Sequence, residues 1–460
     1  MSESMRPARP TPGQPRPYQF PRFERRTLSN GLTLVVAPVR DLPIVTLHAL
    51  IDAGATHDPA GGEGTASLTA TLLAEGTERL DGPALTDHFE RVGSSLEVGA
   101  DWDSAWLECT GLSNHFEELA GLVAEVLRTP AFAERDVTRA RGERQAALLE
   151  QRAEPRGLAD DMFARFAYAE EARYGSPIGG TERSVAGLGR DRVVTFHRAR
   201  YTPGSTTLIM VGDVTMDVAA RIAERHLGDW QGQPQVTAAP GAPDAEAPGP
   251  RTIDLVVKTD APQSEIRIGH VAISRPHPDW MKLHVMNAIL GGLFSSRINL
   301  NLRERHAYTY GAFSSVDPRR HAGTFEVATA VQSGVTGPAV QEVLTELRRM
   351  ADAEVGADEL TLATDYLAGV FPIRYETTSA IAAALANLGV FGLADDYHDG
   401  YRALVRSVST ADVVAAARSH LRPAAARIVI VGNPAEVRLA LAALDTGGVR
   451  EWDASGMRLA

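Results

Sequence analysis

The thirteen histidines are the residues whose spacing decides whether this chain can hold a catalytic metal on one helix. Two imidazoles four positions apart project from the same helical face and can share a zinc ion, but no histidine here has another four residues away. We therefore interpret each histidine as a core or surface side chain. His48, in an alternating strand, and His306, beside Arg305, are the two to check in a structure.

The single cysteine, Cys109, excludes an intramolecular disulfide and a CxxC zinc site. It lies in the alternating run AWLECTGL, which favours a packed core thiol over a nucleophile. Other chemical motifs are incomplete: GGEGTAS lacks the third glycine of a phosphate loop, and VGSSLE lacks the closing glycine of a nucleophile elbow.

One stretch has the frame of a catalytic helix without its chemistry. GEGTASLTATLLAEGT, residues 62–77, predicts a helix after two glycines, and Glu75 near its end is the helix's one ionisable side chain. Ser67, Ala70 and Thr71 occupy its middle. From these residues alone, we interpret it as a core helix.

Length and composition indicate a folded chain of at least two domains. At 460 residues it exceeds the roughly 250 at which a single core usually splits, while 44% hydrophobic and 23% charged residues are typical of globular proteins. The net charge of -12 argues against a nucleic-acid partner. No apolar run reaches the ~18 residues of a membrane span, and no signal-peptide pattern begins the chain, so we expect no membrane association and a cytoplasmic location.

The chain also contains an internal duplication. A proline-rich stretch near residues 230–251 resembles a linker, and positions 220 apart on either side match in six of 21 places without a gap. The identical pairs are Val193 and Val413, Val194 and Val414, Arg198 and Arg418, Pro203 and Pro423, Val211 and Val431, and Gly212 and Gly432.

Strand and helix patterns recur in both halves and predict an α+β fold with two homologous domains, each an antiparallel sheet packed with helices. Helices are predicted at 64–75, 83–92, 114–128, 134–151 and 280–290. The predicted organisation is a disordered arm (1–24), an N-terminal domain (25–230), a linker (231–251), a C-terminal domain (252–448) and a tail (449–460).

Five phrases in order carry a family resemblance: LSNGLTLVVAP, ALIDAGATHDPAGGEGTASLTATLLAEGT, SPIGGTERSV, YTPGSTTLIMVGDV and SSRINLNLRERHAYTYGAF. From about Arg25 to Gly448 the sequence resembles the pitrilysin-like zinc peptidases, in the branch that contains mitochondrial processing peptidase and bacterial two-chain relatives. The resemblance implies two peptidase-like domains that form half of a clamshell.

In that family the helix after the glycines carries His-x-x-Glu-His, which binds zinc and supplies a general base. The resemblance places Ser67, Ala70 and Thr71 at those three positions. The family's third ligand, a glutamate, falls near Ala147 and Leu148, with Glu143 and Glu150 one helical turn to either side. We therefore expect no zinc in this chain.

Relatives in this branch pair an inactive chain with a zinc-bearing one, and the inactive chain contributes an arginine and a tyrosine seven residues apart. The resemblance assigns these roles to Arg303 and Tyr310, with Tyr308 as an alternative tyrosine. Arg297 is a weaker candidate that could anchor the loop LGGLFSSR. Without the resemblance, Arg303 would be interpreted as a helix C-terminal cap and Tyr310 as a packed strand residue.

Three functions follow as hypotheses. The first is a non-catalytic, substrate-binding subunit of a heterodimeric zinc endopeptidase, with a zinc-bearing homologous partner and a peptide or unfolded protein as substrate. The second is a binding or scaffold protein of the same fold with no part in proteolysis. The third, an enzyme using another site with Glu75 or His48, ranks last because no base, nucleophile and orienting group can be assembled around either residue.

Overall fold

The computed structural model describes residues 16–170, 172–233, 251–444 and 448–459, and they form two halves of similar architecture. Most of the predicted linker, 231–251, and most of the predicted arm, 1–24, lie outside the described residues. Each half contains a six-stranded sheet with helices against it. The prediction of an α+β fold with two similar domains is confirmed.

The first sheet has the spatial order β1-β2-β6-β3-β5-β4. Its alternating sequences place every second side chain in the core, as in β5, where Cys109 is buried as predicted. The strands are β1 (Glu24–Thr27), β2 (Thr33–Pro38), β3 (Ile44–Ile51), β4 (Glu97–Ala100), β5 (Ala105–Leu112) and β6 (Thr206–Gly212).

The first half contains eight helices, and the first four agree with the predicted ones to within a few residues. The eight are α1 (Thr65–Leu72), α2 (Gly82–Arg91), α3 (Phe116–Arg128), α4 (Glu134–Ala153), α5 (Pro155–Ala167), α6 (Glu182–Ala186), α7 (Arg190–Arg200) and α8 (Met216–Leu227).

The second half repeats this order of elements. Its sheet runs β12-β7-β11-β8-β10-β9, with β7 (Thr252–Val257), β8 (Gln263–Val271), β9 (Ala312–Val316), β10 (Thr324–Gln332), β11 (Arg427–Gly432) and β12 (Val449–Trp452). Its helices are α9 (Trp280–Asn287), α10 (Arg297–Asn299), α11 (Thr336–Asp352), α12 (Ala357–Arg374), α13 (Thr378–Phe391), α14 (Tyr397–Ser407), α15 (Thr410–His420) and α16 (Pro434–Ala442).

The sheets are mixed rather than wholly antiparallel. β2 pairs in parallel with β6, and β7 pairs in parallel with both β11 and β12, while the other pairs are antiparallel. In each half a late strand returns after several helices and pairs in parallel with an earlier one: β6 lies between β2 and β3, and β11 lies between β7 and β8.

Each half covers the sheet of the other half with one helix. Helix α5, from the first half, packs Leu158, Met162 and Phe163 in one apolar cluster with residues of β7 and β11. Helix α13, from the second half, packs Leu385 and Leu388 in another cluster with residues of β2, β3 and β6. The halves are thereby joined by two equivalent apolar contacts, about 220 residues apart in the chain.

Two predicted segment ends differ from the structure. Phe20, in the predicted arm, is buried in the cluster around α13, because its ring stacks against His398. The predicted tail, 449–460, contains β12, which pairs with β7 because its backbone continues the sheet at that edge. Among the described residues, no helix combines the length and apolar character needed to cross a bilayer.

Candidate functional site

Helix α1 is fixed at its start by a buried ion pair. Asp58 accepts hydrogen bonds from the backbone N–H groups of Gly64 (2.8 Å) and Ala66 (2.7 Å), so it caps the first turn. Arg173 donates to the same carboxylate at 2.7 Å. Gly64 has a φ of 95°, and a Cβ there would lie 2.8 Å from a backbone oxygen of Gly179, so the close approach requires glycine.

A cavity of about 230 Å³ lies where α1 faces α4. Ser67 and Thr71 line it from α1, and Glu143 and Ala147 line it from α4. The structure thus brings together two of the three degenerate positions and one of the two positions assigned to the third ligand. Ala70, the third degenerate position, is fully buried and is not among the residues that line the cavity.

The glutamates near this cavity either contact an arginine or lie outside the cavity lining. Glu143 accepts a hydrogen bond from Arg139 at 2.9 Å, and Arg139 also contacts Glu75. Leu148 is buried in the core, and Glu150 is exposed and outside the cavity lining.

Arg144 places a guanidinium beside Ser67, where it lines both this cavity and a larger neighbour. Its Nε donates to the Gly179 carbonyl at 2.9 Å, and burial lowers the pKa of Arg144. Two hydroxyl groups, a methyl group, a nearby cation and the single carboxylate of Glu143, which is paired with Arg139, do not form a zinc site, because catalytic zinc in proteins is held by three imidazole, thiolate or carboxylate ligands. The donor set does not fit the metal.

Arg303 and Tyr310 line one cavity of about 790 Å³ in the second half, together with Tyr308 and Phe313. The Arg303 guanidinium lies 4.2 Å from the ring centroid of Phe294 and 3.4 Å from a Glu304 oxygen. Tyr310 is 97% exposed. It therefore has a free phenol, and it precedes β9 instead of packing within a strand.

Tyr308, the alternative tyrosine, is partly buried. Its ring stacks on His306 with centroids 5.0 Å apart, and it packs against the core of the second half. Although both tyrosines reach the cavity, Tyr310 is the one whose ring is free to contact a ligand.

The backbone between Arg303 and Tyr310 has an unusual course. Two π-helical segments, Ala288–Gly292 and Leu300–Arg305, flank the loop that carries Phe294. Ala307 then adopts a φ of 53°, in the left-handed region that is rare for residues other than glycine. This turn directs the chain from the π-helical segment towards β9 and brings Tyr310 to the cavity. π-Helical turns are frequent at functional sites.

A third cavity, of about 720 Å³, connects the two regions. Ser67 and Arg144 line it from the first half, and Glu326 lines it from β10. Asp160 of α5 lines both this cavity and the one that contains Arg303 and Tyr310. The three cavities are therefore neighbours that share lining residues from α1 to the region of Tyr310, and we call them together the interdomain chamber.

The wall of the chamber carries charges that sequence reasoning did not identify. Arg267 is buried and its guanidinium contacts Asp160 (2.6 Å), Glu265 (3.0 Å) and Glu326 (3.2 Å). Burial raises the pKa of Glu326 to about 7, although Arg267 acts in the opposite direction. On α5, burial and the neighbouring Asp160 raise the pKa of Asp161 to about 6.

These wall residues had a signal in the sequence. Glu265 and Arg267 alternate with isoleucines in β8, and Glu326 occupies the polar face of β10, opposite the buried Phe325 and Val327. Polar residues at every second position of a strand indicate a sheet face that is open to solvent or to a cavity.

The other candidates have structural contacts. His48 bonds to Glu108 through Nδ1 at 2.8 Å, and the Glu108 carboxylate also contacts Ser379 of α13. His306 lies 3.9 Å from Glu342. Arg297 makes a bidentate ion pair with Glu359, at 2.8 and 2.7 Å, which anchors its loop to α12.

Comparison with known proteins identifies the same family in both halves. Residues 35–182 match the family described as insulinase (peptidase family M16), and residues 187–367 match the peptidase M16 inactive domain. An uncharacterised zinc protease of Mycobacterium leprae is 23% identical, with 77% of this chain and 80% of the relative covered.

One further protein and one solved structure are also similar to this chain. A probable mitochondrial-processing peptidase subunit beta of Schizosaccharomyces pombe is 25% identical over 59% of each chain. The crystal structure of a peptidase M16 inactive domain from Pseudomonas fluorescens has the same fold, with a TM-score of 0.83, 24% identity, and coverage of 89% of this chain and 98% of the other. On the evidence of both halves, the chain belongs to peptidase family M16, the pitrilysin-like family that its sequence resembles.

Proposed function

We propose that this chain is a non-catalytic, substrate-binding subunit of a heterodimeric zinc endopeptidase that acts on peptides or unfolded proteins. The observation that carries the proposal is the pairing of Arg303 with a 97% exposed Tyr310 in one cavity of about 790 Å³. That cavity continues to a helix whose side chains do not suit zinc. Binding groups are therefore present next to a site that lacks ligands for the metal.

The chemistry of the pair suits a peptide backbone. A guanidinium and a phenol are directional hydrogen-bond donors, and a peptide carbonyl oxygen gains negative charge as its carbon is attacked. Phe294 and Phe313, which are 66% and 55% exposed, provide apolar surface for side chains of an extended peptide. In the proposed complex the partner subunit supplies the zinc and the general base, and this chain supplies the donors.

Support for a partner of the same family comes from the relatives. One is named as the beta subunit of a processing peptidase, and several are named as zinc proteases. A subunit that holds substrate without cleaving it needs a zinc-bearing protease chain beside it.

The experiment is reconstitution with a homologous chain that carries intact His-x-x-Glu-His. We expect no peptidase activity from this chain alone, and activity from the mixture. Arg303→Ala and Tyr310→Phe should each reduce kcat/KM of the mixture by about 100- to 1000-fold, the range found when one transition-state donor is removed.

Matched controls are Arg305→Ala and Tyr366→Phe, since both side chains are outside the chamber lining. Activity should be unchanged in these two variants. If all four variants cleave peptide at the wild-type rate while the partner still binds, the clamping role is excluded and the chain is a scaffold. Hydrolysis by this chain alone in the presence of a chelator would instead indicate an enzyme with a different site.

A further inference from the structure

A cluster of two imidazoles and a carboxylate lies outside the chamber, at the junction of α9 and α15. His277 and Asp279 precede α9, His420 is the last residue of α15, and the two helices pack against each other. One potential ligand atom of each residue lies within 4.8 Å of those of the other two. Among the described residues, this is the group of three with that spacing, and none of its members belongs to α1.

From this geometry we propose that His277, Asp279 and His420 form a binding site for a divalent transition-metal ion, of the zinc, cobalt or nickel class. Two nitrogen ligands and one oxygen ligand suit such ions, whereas magnesium and calcium prefer oxygen ligands alone. The three residues would leave one coordination position of a tetrahedral ion to water. The site joins the loop after β8 to the end of α15.

One hydrogen bond already holds two of the ligands together, and another occupies a nitrogen of the third. Asp279 Oδ2 lies 3.0 Å from His420 Nε2, so a shared proton holds these atoms together, and a bound ion would replace that proton. The Nδ1 atom of His277 accepts a hydrogen bond from the Asp279 backbone N–H at 3.0 Å. An ion bound at Nδ1 displaces this hydrogen bond, which makes binding weaker than at a fully preformed site.

The cluster is accessible from solvent. All three residues are partly exposed, with 34% exposure of the Asp279 side chain and 13% of the His420 side chain. An ion could therefore enter without unfolding of the helices.

One neighbouring charge opposes cation binding. The Lys282 ammonium lies 3.2 Å from Asp279 Oδ1 and 3.7 Å from Asp412. It contacts the carboxylate oxygen that His420 does not use, and its side chain is 41% exposed, so it can move away. Removal of the Lys282 charge should therefore strengthen metal binding. If the His420–Asp279 pair served only to join the two helices, no such effect would be expected.

The test is titration of the full chain, freed of metal with a chelator, with Zn²⁺ by calorimetry and with Co²⁺ by visible absorption. We expect one ion per chain and a rise in Tm on binding, because an ion that binds only the folded state stabilises it. His277→Ala, Asp279→Asn and His420→Ala should each raise the Kd about 100-fold. Loss of a residue that only supports a metal ligand raises the Kd about 10- to 100-fold, and these three residues would bind the ion directly. Lys282→Gln should lower the Kd about fivefold.

The matched control is His115→Ala, which removes a histidine that lies 3.5 Å from Glu118. Its Kd should equal that of the wild type. Because His420→Ala could weaken the fold, the Tm of each variant is also measured in chelator, and Lys282→Gln tests the site without removal of a ligand.

The proposal would be overturned if the wild type bound no ion, or if the three ligand variants had the same Kd as the wild type. The result is independent of the proposed subunit function, which predicts no zinc at α1, because any ion held at α1 would still bind to the His277→Ala/His420→Ala double variant.

Discussion

The Arg267 guanidinium donates from Nε to an Asp160 carboxylate oxygen at 2.6 Å, and this bond joins β8 of the second half to α5 of the first. The arginine is only 3% exposed at its side chain and also contacts Glu265 and Glu326. It is therefore the positive centre of an acidic group in the chamber wall, and the charge balance of that wall depends on it.

Replacement of Arg267 by methionine should destabilise the chain by about 3 to 5 kcal/mol, because it leaves buried carboxylates without their cation. Denaturant unfolding monitored by circular dichroism measures this change. The control is Arg438→Met, since Arg438 pairs with Glu451 at 2.6 Å but is 60% exposed, and its loss should cost less than about 1 kcal/mol. Equal effects of the two substitutions would contradict the central role of Arg267.

Glu326 should make stability depend on pH. Burial raises its pKa to about 7, so between its ordinary value of 4.5 and pH 7 the folded chain keeps a proton that the unfolded chain has lost. Its contribution to the free energy of unfolding therefore falls as pH rises through that window, and it stays low above pH 7. Glu326→Gln removes this loss.

We expect the Glu326→Gln variant to match the wild type near pH 4.5 and to exceed it by up to about 3 kcal/mol at pH 8. Unfolding free energies measured across the range test this. The exposed Glu354, changed to glutamine, should give a difference that does not vary with pH. A constant difference for Glu326→Gln as well would show that its carboxyl ionises normally.

The contact of α13 with the first sheet should contribute strongly to stability. Leu385 is 1% exposed in the cluster that this helix forms with β2, β3 and β6, so Leu385→Ala should cost about 2 to 5 kcal/mol through lost burial and the cavity left behind. Leu439→Ala, on α16, is the control because Leu439 is 87% exposed, and it should change stability by less than about 0.5 kcal/mol. Thermal and denaturant unfolding of both variants provide the measurement.

The sequence predicted helices α1 to α4 and α9, but it did not predict the relation between the halves. Alternation in β5 and the helical pattern of α3 identify each element, since both report which face is buried. The exchange of α5 and α13 is not encoded locally, because an apolar helix face does not specify which sheet it covers. The Asp160–Arg267 bond and the shared chamber follow from that exchange and were missed for the same reason.

The candidate site shows the same limits. The resemblance assigned Arg303 and Tyr310, and the structure places both at one cavity. It could not distinguish Tyr308 from Tyr310, because the difference arises from the stacking of Tyr308 on His306. The metal-site proposal involves His277 and His420, which are far apart in the sequence and lack a local motif.

Ala307 is a site where glycine should improve stability. Its φ of 53° is costly for an alanine and free of strain for a glycine, so Ala307→Gly should raise the free energy of unfolding by about 1 kcal/mol. The same substitution at the exposed Ala146, inside α4, should lower it by about 1 kcal/mol. Opposite signs in the two variants, measured by denaturant unfolding, are the expected result; a loss of stability at both positions would show that the turn at Ala307 is not strained.

The cavity between α1 and α4 should accept a metal once ligands are supplied. Ser67 and Thr71 lie one helical turn apart and face Ala147, so Ser67→His, Thr71→His and Ala147→Glu together place two imidazoles and a carboxylate around one cavity. In a chain that also carries His277→Ala and His420→Ala, this triple substitution should produce one zinc per chain by elemental analysis.

Arg144 should oppose that ion, because its guanidinium lines the same cavity. Addition of Arg144→Gln should therefore lower the Kd for zinc by about tenfold. Peptidase activity should stay absent, since Ala70 still provides no general base. If the triple variant fails to bind zinc while circular dichroism shows that the fold is retained, α1 and α4 no longer have the spacing of a metal site. This chain would then differ from its zinc-binding relatives in backbone position as well as in the residues at the ligand positions.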